Sequence, residues 1–128
     1  MIVYRIADAR HPIFDATGAM LHGGRWNSVG LRAIYAAETY AGALLEVLVH
    51  SNLSQPPKNH RAVRIAIPDE VKLETVLVDS IEGWDAEDMR PSRSFGDRWI
   101  QENRTAMLRV PSVSCILPNS PDRVRVLR

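Results

Sequence analysis

The sequence predicts a single α+β domain, and three observations carry that expectation. Short runs of strand-forming residues recur along the chain, only two stretches have a clear helical period, and these elements do not alternate as a doubly wound sheet requires. At 128 residues the chain suffices for one hydrophobic core, and it contains no internal repeat, low-complexity tract or linker. Residues 1–128 are therefore read as one domain.

Val3 to Ile6 alternates and suits a first strand, while Asp8 to Gly24 is broken by Pro12, Gly18, Gly23 and Gly24 and reads as a loop. Ala33 to Ala36 is a short strand carrying Tyr35. Thr39 is placed to cap a helix from Tyr40 to about His50, with Ala41, Leu44, Leu45 and Leu48 as its apolar stripe. At roughly 100° per residue, Glu46 falls on the opposite side beside Gly42, Ala43 and His50, a small-residue face that can look into a cleft. Ala62 to Ile67 alternates as a half-buried strand ended by Pro68-Asp69, and Leu73 to Val78 suits another. Ile81 to Arg93 reads as a short helix and a loop around Pro91. Ser94 is placed to cap a helix from Phe95 to about Asn103, with Asp97 in its first turn. Ser112 to Leu117 and Val124 to Leu127 read as closing strands, the latter as an edge strand with one arginine-bearing solvated face.

Composition limits the function. A net charge of +1 gives no strong field for nucleic acid or an anionic membrane, and no apolar run approaches the roughly 20 residues of a bilayer span. The N-terminus lacks a basic, apolar leader, so a cytoplasmic location is expected. The single Cys115 reads as a buried, inert thiol, and His11, His22, His50 and His60 lack paired ligand spacing, so no metal is expected.

Three residues stand out, Arg25, Tyr35 and Glu46, ten and eleven residues apart and each on a different predicted step of the fold. A guanidinium fork suits phosphate oxygens, a tyrosine ring stacks on a flat heterocycle, and a carboxylate stabilises a cationic sugar. Together they fit a phosphate-linked glycosyl substrate. Taken singly, each also reads more plainly: a surface ion pair, a core tyrosine, a solvated helix glutamate. Gly23-Gly24 is either a tight turn or a place where backbone approaches a ligand. Ser112, after Pro111, has no nucleophile elbow around it and is read as a hydrogen-bonding or substrate-positioning hydroxyl.

Tyr4-Arg5, Gly24-Arg25-Trp26-Asn27, Tyr35, Ala43-Leu44-Leu45-Glu46, Ser94-Phe95-Gly96-Asp97-Arg98-Trp99 and Leu108-Arg109-Val110-Pro111-Ser112 follow one another in the order found in the RES domain, which this chain resembles. That family comprises toxins of bacterial toxin–antitoxin pairs. The resemblance implies a mixed or antiparallel split sheet with flanking helices, related to ADP-ribosyltransferases, and an enzyme that takes NAD as substrate without a metal. It implies cleavage of the nicotinamide–ribose bond by hydrolysis or phosphorolysis, or alternatively transfer of ADP-ribose to a protein. Carried onto this sequence, the catalytic residues are Glu46, Arg25 and Tyr35, and the substrate-binding residues are Arg25, Tyr35, Ser112 and Arg5. The implied partner is an antitoxin with an Xre-like DNA-binding region, which leaves no direct nucleic-acid contact to this chain, and the pair associates in symmetric assemblies that include a toxin homodimer. One departure is the segment Leu117-Pro118-Asn119-Ser120-Pro121-Asp122, shorter than the family's corresponding stretch and lacking its histidine. Two other classes remain open: an inactive module that only binds an antitoxin, and an RNA binder using Arg61 to Arg64 and Arg123 to Arg128.

Overall fold

In the computed structural model, which describes residues 1–51, 58–114 and 123–128, the strands form one twisted sheet that comes close to parting in the middle. The elements are β1 (Ile2–Asp8), α1 (Thr17–His22), β2 (Ile34–Ala37), α2 (Tyr40–Ser51), β3 (His60–Ala66), β4 (Leu73–Thr75), a 3-10 turn (Val78–Ser80), α3 (Arg90–Gln101), β5 (Met107–Pro111) and β6 (Arg123–Leu127). The strand order is β3-β1-β2-β6-β5-β4, antiparallel except for the parallel β4–β5 pair. β1 pairs along its whole length with β3, but it meets β2 in register only at Tyr4 opposite Ala37. This is the α+β architecture with a split sheet that the resemblance implies.

Alternation along the strands divides the core between the two faces. Leu108, Val110, Val124 and Val126 pack with Trp26, Trp99, Ala33 and Val76 beneath α3. Met107 points the other way and joins Val3, Ala36 and Ile67. On that second face Arg109 and Arg125 stand directly opposite each other on β5 and β6, a repulsive pairing by itself. Glu38 resolves it: Arg109 donates to both of its carboxylate oxygens at 2.9 and 3.2 Å, and Arg125 forms an ion pair with the same group.

Several expectations are corrected. β6 is an interior strand between β2 and β5, and Arg125 is 5% exposed, so the arginine alternation marks a buried ion network instead of a solvated edge. α3 starts at Arg90, with Pro91 in its first turn where a missing N–H costs nothing, so Ser94 is not its cap and Asp97 lies mid-helix. The 9–24 stretch contains α1, whose first free N–H, on Thr17, donates to Asp15 Oδ1 at 2.9 Å. β5 ends at Pro111, so Ser112 follows a strand and does not begin one. Thr39 does cap α2, accepting from the Gly42 N–H at 2.9 Å. The helix lies on its small side, however: Gly42 and Ala43 are buried while Ala41, Leu45 and Val49 are exposed. Small residues let α2 sit close on the strands bearing Ala36 and Ala37. Cys115 and residues 117–122 lie outside the described residues.

The tightest packing occurs where α3 crosses the loop after α1. A Cβ built on Gly96 would stand 1.9 Å from the Trp26 carbonyl oxygen, which explains a glycine inside a helix where alanine is intrinsically better by about 1 kcal/mol. Gly96→Ala should therefore destabilise the fold by at least about 2 kcal/mol despite its better helix propensity. Urea unfolding measures this, and an unchanged midpoint would refute the close approach.

Candidate functional site

Where β1 and β2 splay apart, a cleft of about 500 Å³ opens, within the size range of small-molecule sites. Its walls come from β1 and β2, α1 and the loop after it, the small face of α2, and the chain just past β5. Arg5, Arg25, Tyr35, Glu46 and Ser112 all line it. Five residues read separately from the sequence thus converge on one cavity.

The Gly23-to-Ser28 loop is built by short-range chemistry. Gly23 has φ +71°, and a Cβ on Gly24 would lie 2.5 Å from the Tyr35 hydroxyl oxygen, so the two glycines satisfy different demands. Asn27 is completely buried. Its amide nitrogen donates to the carbonyls of Ala19, Leu31 and Ser28 at 2.9, 3.0 and 3.3 Å. Its Oδ1 accepts from the Tyr35 hydroxyl at 2.7 Å, and that hydroxyl accepts from the Trp26 N–H at 3.1 Å. From α3, Asp97 accepts from the Ser28 N–H and hydroxyl at 2.8 and 2.5 Å, and Arg93 donates to the Gly24 carbonyl at 2.8 Å. Trp26 stacks on Trp84 with ring centres 6.3 Å apart. Arg25, held between these fixed points, donates through Nη1 to the Trp84 and Ala86 carbonyls at 3.1 and 2.9 Å. Its guanidinium is therefore oriented before any ligand arrives.

Tyr35 has its hydroxyl occupied by protein groups, and burial pushes the hydroxyl's pKa up despite the Trp26 N–H, so it stays protonated. What it offers the cleft is ring. Arg5 is also heavily engaged: Nε donates to the Ile13 carbonyl at 2.6 Å, Nη1 to the Tyr35 carbonyl at 2.8 Å and Nη2 to the Asp15 carbonyl at 3.2 Å. It bridges β1 to β2 where ladder bonds are missing and ties in the residues leading to α1. Burial lowers its pKa, with Asp15 opposing.

Glu46 projects from the small face of α2, as the helical periodicity predicts. Oε2 is 3.1 Å from His50 Nε2 one turn along, and Oε1 accepts from the Ser112 hydroxyl. Ser112 in turn accepts from the Ser114 N–H at 3.1 Å. Burial raises the Glu46 pKa, but hydrogen bonds from His50 and Ser112 and the His50 charge outweigh it, so the net shift is downward. The carboxylate is held ionised and aimed. His22 and His60 also line the cleft and were not singled out by sequence spacing. His50, four residues after Glu46, was readable as its helical neighbour. The buried Asn27 and the Asp97 clamp become visible only in three dimensions. No group of three His, Cys, Asp or Glu side chains among the described residues is placed to hold a metal, and none of the described helices is long and apolar enough to cross a membrane.

A split α+β sheet thus gathers an arginine, a tyrosine, a glutamate and a serine at its parting. The RES domain family matches residues 2–127, and the chain belongs to that family. It is 48% identical over 118 residues to the Prs ADP-ribosylating toxin of Sphingobium sp. (strain YBL2), covering 86% of this chain and 73% of that protein. It is 34% identical over 122 residues to Toxin Res of Pseudomonas putida KT2440, covering 94% and 80% respectively. A chain in the crystal structure of the M. tuberculosis MbcT–MbcA toxin–antitoxin complex superposes with a TM-score of 0.72 at 20% identity, over 98% of this chain and 72% of that one. At that identity the likeness establishes the fold.

Two outcomes follow from the site's bonding. Tyr35→Phe leaves the ring but strands the buried Asn27 carbonyl and Trp26 N–H, and should cost about 1–3 kcal/mol in chemical denaturation. A loss below about 0.5 kcal/mol would refute the network's structural role. The Glu46–His50 pair contributes stability with opposite pH limits. Glu46's share is present above its ordinary 4.5 and lost as pH falls through its lowered value; His50's is present below 6.5 and lost as pH rises through its raised value. The stability difference between wild type and His50→Gln should thus be largest between about pH 4.5 and 6.5 and, with the ring largely exposed, remain under about 1 kcal/mol. Urea midpoints across that range measure it, and a difference that grows above about pH 8 would contradict it.

Proposed function

We propose that this chain is the toxin of a toxin–antitoxin pair and that its cleft cleaves the nicotinamide–ribose bond of NAD. The observation that carries the proposal is the convergence of Arg25, Tyr35, Glu46 and Ser112, from four separate parts of the chain, on one cleft. The names of the Sphingobium and Pseudomonas relatives support it.

In the proposed reaction the bond between C1′ of the ribose and the pyridinium nitrogen breaks, and its electron pair leaves with nicotinamide, which becomes neutral. Positive charge develops on the ribose as in other glycosyl transfers. Glu46, ionised and fixed by Ser112 and His50, meets that charge and accepts a hydrogen bond from a ribose hydroxyl. Arg25, preset by the Trp84 and Ala86 carbonyls, takes the diphosphate through its remaining donors. The Tyr35 ring bears on the flat nicotinamide, and Ser112 positions both Glu46 and the ribose. Arg5 keeps β1 and β2 apart at the width the substrate needs, with direct diphosphate contact secondary. An acceptor oxygen then bonds to C1′ and loses its proton. Water as acceptor gives ADP-ribose, and phosphate gives its phosphorylated form.

A second reading, transfer of ADP-ribose to a protein, is favoured by the name of the 48%-identical relative. The cytoplasm is the proposed location. The proposed partner is an antitoxin with an Xre-like DNA-binding region that covers the cleft, in an assembly containing a toxin homodimer. Its absence should make the wild type toxic on expression.

Proton NMR of NAD incubated with the protein, with and without phosphate, tests the reading. Nicotinamide should appear with wild type, and Glu46→Gln, which keeps the size of the side chain but removes the charge, should lower the rate by about 10²-fold. Full activity of a folded Glu46→Gln protein would remove Glu46 from catalysis. Intact NAD alongside a labelled protein in lysate would establish the second reading, and NAD binding without either product would leave an inactive antitoxin-binding module.

A further inference from the structure

The proposed reaction uses His50 to fix Glu46 and gives no role to the proton His50 carries. His50 lies one helical turn after Glu46, its Nε2 is 3.1 Å from Glu46 Oε2, and it lines the same cleft. Its side chain is 63% exposed against 24% for Glu46, so the ring exchanges protons with solvent at the mouth while the carboxylate stays inside. With Ser112 on Oε1 and His50 on Oε2, the carboxylate is gripped at both oxygens and cannot turn about its last bond.

We propose that His50 is a positioning residue for Glu46 whose loss of a proton releases the carboxylate's full charge to the cleft, so that NAD cleavage is slow in acid and rises towards alkaline pH. This rests on the NAD-cleaving reading of the site. The neutral ring can still donate from Nε2, so positioning survives deprotonation. Protonation adds a unit positive charge beside the one carboxylate that faces the developing ribosyl cation. That charge opposes the transition state more than the ground state, because the sugar is most positive in between reactant and product. The same coupling works in reverse on the ring. The hydrogen bond to Glu46 raises its pKa, burial lowers it, the Glu46 charge raises it and the Arg25 charge lowers it. The other charged or titratable groups that line the cleft are Tyr4 and Arg5 on β1, His22 at the end of α1, Tyr35 on β2 and His60 at the start of β3. None of these is a carboxylate, so among the described residues of the cleft Glu46 is the one carboxylate that holds the proton on His50. The ring therefore loses its proton above a histidine's ordinary 6.5.

The test compares pH profiles of kcat for NAD cleavage, from about pH 5.5 to 8.5, in wild type, His50→Gln and His50→Phe. Wild type should rise roughly tenfold in one step across that range. His50→Gln keeps a neutral donor and should be flat near the alkaline wild-type value. His50→Phe has no donor and should be slow throughout, with circular dichroism showing that it folds. A His50→Gln profile that keeps the wild-type step, or a flat wild-type profile, overturns the inference while leaving NAD cleavage intact. A wild type that leaves NAD untouched at every pH overturns the reading beneath it. Independent of turnover, the His50 ring resonance, assigned by its loss in His50→Gln, should titrate at lower pH in Glu46→Gln than in wild type. Identical titration in both would overturn the coupling.

Discussion

The site depends on one buried contact, the hydrogen bond from the Tyr35 hydroxyl to the Asn27 side-chain carbonyl. Asn27 is fully buried, so its amide must be satisfied by protein, and its partners lie in α1, in the loop after it and on β2. A half-satisfied network in that position is worse than an apolar one, which makes the arrangement all-or-none. Because Asn27 fastens the loop, Arg25 two residues earlier is presented from a rigid turn. Gly24 is the steric condition for this, since any side chain there would occupy the place of the Tyr35 hydroxyl.

The segment Ser94-Phe95-Gly96-Asp97-Arg98-Trp99, which contributes to the family resemblance, acquires a physical meaning from the same loop. It holds no ligand. Gly96 lets α3 touch the Trp26 backbone, Asp97 binds Ser28, Phe95 meets the edge of Trp26 at 6.4 Å, and Trp99 fills the core below. Arg93, one residue before the segment, holds Gly24. The helix is the outer jaw of a clamp whose inner jaw is β2. Arg5 completes the frame from β1 by supplying hydrogen bonds where the sheet parts, so the opening that makes the cleft is itself a bonded structure.

Much of this was legible in the sequence wherever a local rule decides the outcome. Thr39 caps α2, and a rotation of roughly 100° per residue puts Glu46 on the small face with His50, because both depend only on neighbours within a turn or two. The rule identifies faces without saying which one meets the sheet: Ala41 and Leu45 form a stripe, yet Gly42 and Ala43 are the buried side. Whether β6 is central or at an edge depends on strands that arrive from distant sequence, and an arginine alternation looks the same in both cases until Glu38 is found between Arg109 and Arg125. The start of α3 was obscured by Pro91, which breaks a helix interior but is at home in its first turn. Asn27 reads as an ordinary loop residue, since nothing local reveals that it will be sealed on every side.

The arrangement of charge in the cleft gives the proposed substrate a direction. Among the described residues Glu46 is the one carboxylate lining it, and Arg5, Arg25, His22, His50 and His60 are the basic side chains that line it. NAD has the complementary asymmetry, an anionic diphosphate at its centre and a cationic pyridinium–ribose linkage at one end. Reversing the molecule would bring the diphosphate towards Glu46 and the pyridinium towards Arg25, replacing two attractions by two repulsions. At an effective dielectric of about 20, each unit pair 4 Å apart is worth about 4 kcal/mol before desolvation, enough to decide orientation even when solvent removes most of it. Orientation places the scissile bond beside Glu46, and the charge that appears there as the bond breaks is the one the carboxylate is already fixed to receive. In this reading, binding and bond cleavage draw on the same electrostatic polarity, set by where Asn27 and α3 hold Arg25 and by which face of α2 carries Glu46.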